Sequence, residues 1–350
     1  MTEEKTYPRF ATFLLAFSMF TTGASGLVSE FILSTVSTYI LGNSIEQFSI
    51  VIALMMFMMG IAGVAQKYFD DNHLLVKFFI VESLLALFAG YAPLALYAAF
   101  GYMVHFELAQ YTLICVIGFL IGFEIPLVLR INDKYSKTLG TNLASIYAAD
   151  YLGAFVGAMI WTFYLLRNFP LTHISFMLAG TNFAVACITI LYFQWNKIDK
   201  MHKNIIPGLL ILMVVPLLFW GFVNNQTWAK LMEQKLYDDK IVFTETTKYQ
   251  HLVMTLNKKM EEYRFYINGN LQWASSDEVI YHELLVHPVM NMVKDHERVL
   301  ILGGGDGMAL RELLTYDDVK EIMMIDLDPE MTKFSANNEI LRKLNRNAFA

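Results

Sequence analysis

Four glycines and an aspartate stand between an apolar run and an apparent helix in VLILGGGDGMALRELL, residues 299–314. A chain that turns tightly from strand to helix needs residues without Cβ, so that backbone can approach a ligand. Asp326 ends the next apolar run. An acid about 20 residues beyond a glycine loop suits hydrogen bonds to ribose hydroxyls. Gly303, Gly304, Gly305 and Gly307 lack the GxGxxG spacing, so an adenosyl ligand fits better than a dinucleotide. Asp306 inside the loop would repel a phosphate, whereas a cationic ligand suits it. A purely structural turn is the competing reading. Upstream, Glu278, Tyr281 and His282 stand at i, i+3 and i+4 and are expected on one helix face, which taken alone is an ordinary polar face.

These residues need elements to hold them. Segments 241–246, 249–256 and 263–267 alternate as strands, with NGN (268–270) as a hairpin turn. Ser275 and Glu278 have the spacing of a capping box, opening a helix that Pro288 is expected to interrupt just after His287. Strand 298–302, the glycine loop, helix 308–315, strand 320–326 and a helix from about 329 follow. A small β region therefore precedes the start of a βαβ sheet.

The chain before this part has a different character. Of 350 residues 56% are hydrophobic and 17% charged, with a mean hydropathy of +0.43. Soluble domains carry about 25% charged residues, so this balance points to a membrane. More than half of the charged residues lie after position 223. Seven segments are long enough to cross a hydrocarbon core of about 30 Å, near 12–36, 46–66, 75–100, 107–129, 144–166, 172–195 and 205–223. The first is too long for a signal peptide and reads as a retained helix. Small-residue steps GIAGVA (60–65) and GAFVGA (153–158) suit close helix packing. Glu30, Glu82, Glu124 and Asp150 fall in or near these spans, where carboxylates serve a cation site or pathway, sit at the interface, or bond between helices.

Three readings of the chain are expected: 1–223 as a multi-pass transmembrane domain in a lipid bilayer, 224–285 as a β region, and 286–350 as an incomplete Rossmann-like nucleoside-binding domain. Lys67 and Lys77, then Arg130, Lys134 and Lys137, then Lys197, Lys200 and Lys203 mark alternate loops as inside, together with Lys5 and Arg9. Seven spans would then leave the C-terminal part outside. A net charge of −6 without a basic cluster argues against nucleic acid. Cys115 and Cys187 lie in apolar spans, so neither a disulfide framework nor a zinc site is expected.

YQ (249–250), NGNLQ (268–272), DEVIYHELLVHP (277–288), VLILGGGDGMALRELL (299–314) and MIDLDP (324–329) closely resemble spermidine synthases, the polyamine aminopropyltransferases. TYILGNSIEQFS (38–49) resembles the membrane-attached branch with an N-terminal multi-span region. The resemblance implies an S-adenosylmethionine-type fold and transfer of an aminopropyl group from decarboxylated S-adenosylmethionine, as co-substrate, to putrescine or a similar polyamine. Spermidine and methylthioadenosine would be the products, with no metal. Gln250 would contact the adenosyl thioether part of the donor, Tyr281 and His282 would line the polyamine site, Asp306 would hold an amine, and Asp326 would bind the ribose. Soluble members commonly carry Glu where this chain has Asp326.

The family's proton-accepting aspartate is expected beyond Ala350, so no catalytic residue is assigned here and the chain is expected to be a truncated form that does not make spermidine by itself. Glu339 is the only acid between Lys333 and Ala350. The resemblance also puts the C-terminal part in the cytoplasm, attached to the cell (inner) membrane, against the count of spans. A homo-oligomer is left open. The alternatives are an S-adenosylmethionine-dependent methyltransferase, or a membrane transporter or scaffold with a remnant soluble domain.

Overall fold

The computed structural model describes residues 9–102, 106–133, 135, 138–196, 204–247 and 249–350. Lys5, Lys134, Lys137, Lys197, Lys200 and Lys203, used above for orientation, lie outside them, as does the side chain of Arg9. The chain divides into two compact units, Met1–Leu236 and Tyr237–Ala350.

The first unit is a bundle of α1 (Arg9–Leu41), α2 (Ser44–Ala65), α3 (Leu74–Tyr102), α4 (Phe106–Asn132), α5 (Leu139–Ile160), α6 (Leu171–Trp195) and α7 (Ile206–Glu233). With the short turns that extend some of them, all seven are long and apolar enough to cross a membrane. Such helices satisfy every backbone polar group internally, which a hydrocarbon surrounding requires. Helices α1, α3 and α6 have more than half of their most apolar stretch buried, against 17% for α2 and α5, so they form the centre.

Glycine decides which helices approach most closely. A Cβ on Gly153 would lie 1.9 Å from the Phe20 carbonyl oxygen, and one on Gly157 2.8 Å from Ala24 Cα, so α5 presses its backbone onto α1. The expected step at Gly60 and Gly63 is not used: a Cβ at either would meet nothing within 4 Å. The close approach of α2 comes instead from Gly118 and Gly122 of α4, which face Met55 and Met59. Lys77 pairs with Asp70, and Arg130 donates to Asp71 at 2.6 Å and to the Phe69 carbonyl, so two of the charged loops meet at one end of the bundle.

The expected division at 223/224 falls inside α7. The helix continues to Glu233 because NNQTWAKLME keeps helix-forming residues after its apolar stretch ends, and the units part at Leu236/Tyr237.

The second unit opens with an antiparallel meander of β1 (Lys240–Thr246), β2 (His251–Asn257), β3 (Glu262–Ile267) and β4 (Asn270–Ala274). Strand β4 is the far arm of the expected hairpin at 268–270. It pairs Ile267 with Asn270 across a turn that holds Asn268 and Gly269 at positive φ. Then come α8 (Glu278–Met292), β5 (Arg298–Leu302), α9 (Met308–Leu313), β6 (Glu321–Ile325), α10 (Pro329–Asn337) and α11 (Glu339–Leu344). Helix α8 runs through Pro288. The expected capping box is absent: Asp277 is the N-cap without a side-chain bond, and Ser275 Oγ instead accepts from the Tyr263 amide at 2.9 Å. Leu252, Met254, Phe265 and Trp273 of the meander share one core with Met308, Met331 and Leu341 of α9, α10 and α11, which seats the meander beside the glycine loop.

Candidate active site

Strands β5 and β6 pair in parallel, Leu302 beside Ile325, and the Gly303 amide donates to the Ile325 carbonyl at 2.8 Å. The glycine loop and Asp326 therefore leave adjacent strands side by side at their carboxyl ends, where open α/β sheets bind ligands. Gly303, Gly304 and Gly307 take φ of 84°, 73° and 79°, a region costly for other residues. Gly305 is needed for space: its amide donates to Asp326 Oδ2 at 2.8 Å, and a Cβ there would fall 2.8 Å from the same oxygen. Asp326 Oδ1 accepts from the Asp328 amide at 2.8 Å. Two backbone donors thus fix the carboxylate, and each oxygen keeps a lone pair for a hydroxyl.

Gln250 reaches this corner from the meander. Its Nε2 donates to Asp328 Oδ2 at 2.8 Å, which also accepts from Thr247 Oγ1 at 2.7 Å. Asp328 is 1% exposed and caps α10 through Oδ1 and the Glu330 amide. Sequence reading missed this residue, although an aspartate directly before a helix-opening proline is a cap signal.

Asp306 is half-buried, and its Oδ1 accepts from the Met308 amide at 3.0 Å. Burial, with the nearby Glu278 and Asp326 charges, raises its pKa above the usual carboxylate value against the pull of the Met308 amide and His282. His282 Nδ1 stands 2.7 Å from the Glu278 carbonyl and 2.9 Å from its Oε2, two acceptors, so Nδ1 carries the proton. Burial opposes a charge on His282, but the bond to Glu278 and the charges of Asp306 and Glu278 outweigh it and raise its pKa.

Tyr281 departs from the expected shared face. It is 63% exposed, whereas Glu278 is 3% and His282 5% exposed. Consecutive helical residues stand about 100° apart, so with Glu278 and His282 stacked inward at i and i+4 Tyr281 points outward. Its ring meets the His282 ring edge-on at 5.1 Å.

No local pattern marks what anchors Glu278. Arg311 of α9, 4% exposed, donates to Glu278 Oε1 at 2.7 Å and to Oε2 at 3.0 Å, to Glu312 at 2.7 Å and to the Leu344 carbonyl at 2.7 Å. Burial works against the Glu278 charge, yet the bonds from His282 and Arg311 hold its pKa below the usual value. Arg311 thereby ties the helix carrying His282 to the helix that follows the glycine loop. Among the described residues one group of metal-type side chains, Glu283, His287 and Glu312, brings ligand atoms within 4.8 Å of one another. There Glu312 is engaged by Arg311 and His287 by Tyr316 at 2.8 Å, so both already have protein partners.

Residues 278–348 match the family model described as the spermine/spermidine synthase domain. The chain is 35% identical over 346 residues to polyamine aminopropyltransferase 1 of Streptomyces coelicolor, covering 97% of this chain and 64% of that protein. It is 36% identical to polyamine aminopropyltransferase 2 of Ralstonia nicotianae, covering 96% and 66%. The chain thus spans just under two thirds of the length of these relatives. A crystal structure of spermidine synthase from Thermotoga maritima matches with 26% identity and a TM-score of 0.29, covering 31% of this chain and 37% of that one. The chain is thus similar along nearly all of its length to polyamine aminopropyltransferases, and its residues 278–348 match the spermine/spermidine synthase domain.

Proposed function

We propose that the C-terminal unit serves aminopropyl transfer from decarboxylated S-adenosylmethionine to putrescine, releasing spermidine and methylthioadenosine. The observation that carries this reading is Asp306, a carboxylate placed inside a nucleoside-type glycine loop beside Asp326 and His282. A methyl donor brings its own carboxylate, which Asp306 would repel. A donor with only an ammonium arm supplies the positive charge that this half-buried carboxylate lacks.

In the reaction a neutral putrescine nitrogen attacks the methylene next to the sulfonium. The C–N bond forms, the C–S bond breaks, its electrons stay on sulfur as a neutral thioether, and the nitrogen gives up a proton. The residues of this chain bind and align: Asp326 the ribose, Asp306 an ammonium, and His282, held by Glu278, the amine side of the site. Alignment of this kind is worth several kcal/mol of a bimolecular barrier. The seven long apolar helices are taken to anchor the protein in a cell membrane, with the C-terminal unit in the cytoplasm, where the resemblance puts its donor.

Calorimetry tests the reading. Decarboxylated S-adenosylmethionine is expected to bind about tenfold or more tightly than S-adenosylmethionine, the scale of one like-charge repulsion. Asp306→Asn should narrow that gap and Asp326→Ala should weaken both. Equal or tighter binding of S-adenosylmethionine would overturn the proposal in favour of methyl transfer.

A further inference from the structure

The centre of the helical unit holds more oxygen acceptors than donors. Glu82 of α3 is 1% exposed and Glu124 of α4 is 0% exposed. Asn182 of α6 donates to Glu82 Oε2 at 2.5 Å. Thr22 Oγ1 of α1 lies 3.3 Å from Glu82 Oε1, 3.2 Å from Asn182 Oδ1 and 3.0 Å from the Ser18 carbonyl, with one proton to share among three acceptors. Glu82 and Thr22 face Glu124, yet neither carboxylate oxygen of Glu124 finds a donor at hydrogen-bonding distance. Asp150 of α5 lies near Glu124, and Cys187 of α6 near Glu82. Among the described residues no ion pair includes Glu82, Glu124 or Asp150.

Neither the span ends nor the interface explains these groups. Glu82 sits in the third turn of α3 and Glu124 well inside α4, so both carboxylates face the bundle interior. A second observation marks the spot. A cavity of about 10 Å³ lies one turn along α1 and α3 from Thr22 and Glu82, lined by Ser25, Ser29, Ala86 and Asn182 among others. That volume holds about one water-sized particle. The hydroxyls of Ser25 and Ser29 donate back to the Thr22 and Ser25 carbonyls, so they present oxygen lone pairs to the cavity. An all-oxygen donor set of this kind suits a hard cation.

Two adjacent buried carboxylates cannot both remain charged without compensation, because the cost of burying an unpaired charge far exceeds that of taking up a cation. We propose that Glu82, Glu124, Thr22 and Asn182 form a binding site for one small monovalent cation, a proton shared between the carboxylates or a dehydrated alkali ion of sodium's size. The cavity is too small for a diamine, so this is not a store for the amine substrate. It is a site of the helical unit in its own right.

The test uses the full chain purified in detergent at low buffer strength. Sodium chloride, lithium chloride, potassium chloride and choline chloride are added in turn while a pH indicator follows proton release and infrared difference spectra follow carboxyl groups. For an alkali ion, sodium should displace the proton that would otherwise neutralise one carboxylate and release about one proton per chain, and choline none. Glu124→Gln, of the same shape, should abolish the release. For the proton as sole occupant, a protonated-carboxyl band should be present near neutral pH, insensitive to sodium and absent in Glu124→Gln. Wild-type protein with neither the release nor the band, or a band unchanged in a folded Glu124→Gln, would overturn the site.

Discussion

Replacing Arg311 with methionine keeps an unbranched apolar stem and removes every donor of the guanidinium. Glu278 would lose two bonds of 2.7 and 3.0 Å and keep only His282, Glu312 would lose one of 2.7 Å, and the Leu344 carbonyl would lose another of 2.7 Å. Charged hydrogen bonds contribute about 1.5–3 kcal/mol each, but they share one guanidinium and do not add. The better guide is the measured cost of orphaning one partner of a buried ion pair, about 3–5 kcal/mol. Exposure of 4% for Arg311 and 3% for Glu278 puts this pair in that class. Against a domain stability of about 5–15 kcal/mol the loss is large. Hydrogen exchange read by mass spectrometry on the full chain should show α8 and α9 opening about a hundredfold to several thousandfold more often, since 1.4 kcal/mol is a factor of ten, while α1 to α7 keep their protection. A Glu278→Leu/Arg311→Met double variant should recover part of the loss, as removing both charges leaves neither orphaned. Exchange of α8 within about threefold of wild type in Arg311→Met, a change below 1 kcal/mol, would refute the assignment of this network as the clasp between the two helices.

Gly305→Ala puts a Cβ 2.8 Å from Asp326 Oδ2, so the carboxylate must shift and methylthioadenosine should bind about tenfold to a hundredfold more weakly, the worth of one charged hydrogen bond; unchanged affinity by calorimetry would remove Gly305 and Asp326 from the nucleoside site. A reporter fused after Leu236 should be active on the cytoplasmic side of the membrane, and activity on the outer side alone would reverse the proposed placement of the C-terminal unit.

What could be read from the sequence was what depends on neighbours along the chain. Seven long apolar runs announce helices because length and hydropathy need no tertiary partner, and seven such helices stand among the described residues. Where an element ends is less local. The charge step near 224 marks where apolar residues stop, while α7 continues for a further two to three turns on helix propensity, to Glu233. Small-residue spacing is ambiguous for a related reason. GIAGVA and GFLIG have similar spacings, and only the packing of α2 on α4 decides that Gly118 and Gly122 are the pair in contact. Pro288 was expected to break α8, yet proline removes only one amide from the ladder, and a helix held at both Glu278 and Val286 absorbs that loss.

The same division runs through the site. The glycine loop could be read because left-handed φ is a property of single residues, and the Asp326 position because one helix, one turn and one strand separate it from the loop. Its role is broader than the sequence implied, since both oxygens brace the loops that would surround a nucleoside. Arg311 and Asp328 carry no local mark of comparable force. Arg311 meets Glu278 across 33 positions and Asp328 meets Gln250 across 78, so only the fold brings them together. These two residues do not face a ligand on the geometry seen here, yet each holds one that would: Arg311 fixes Glu278 and through it His282, and Asp328 fixes Gln250. Their substitution should therefore loosen two separate walls of one site, the amine side through α8 and the nucleoside side through the meander. That separation follows from the topology, because one wall is carried by α8 and the other by the turn that leads into β2.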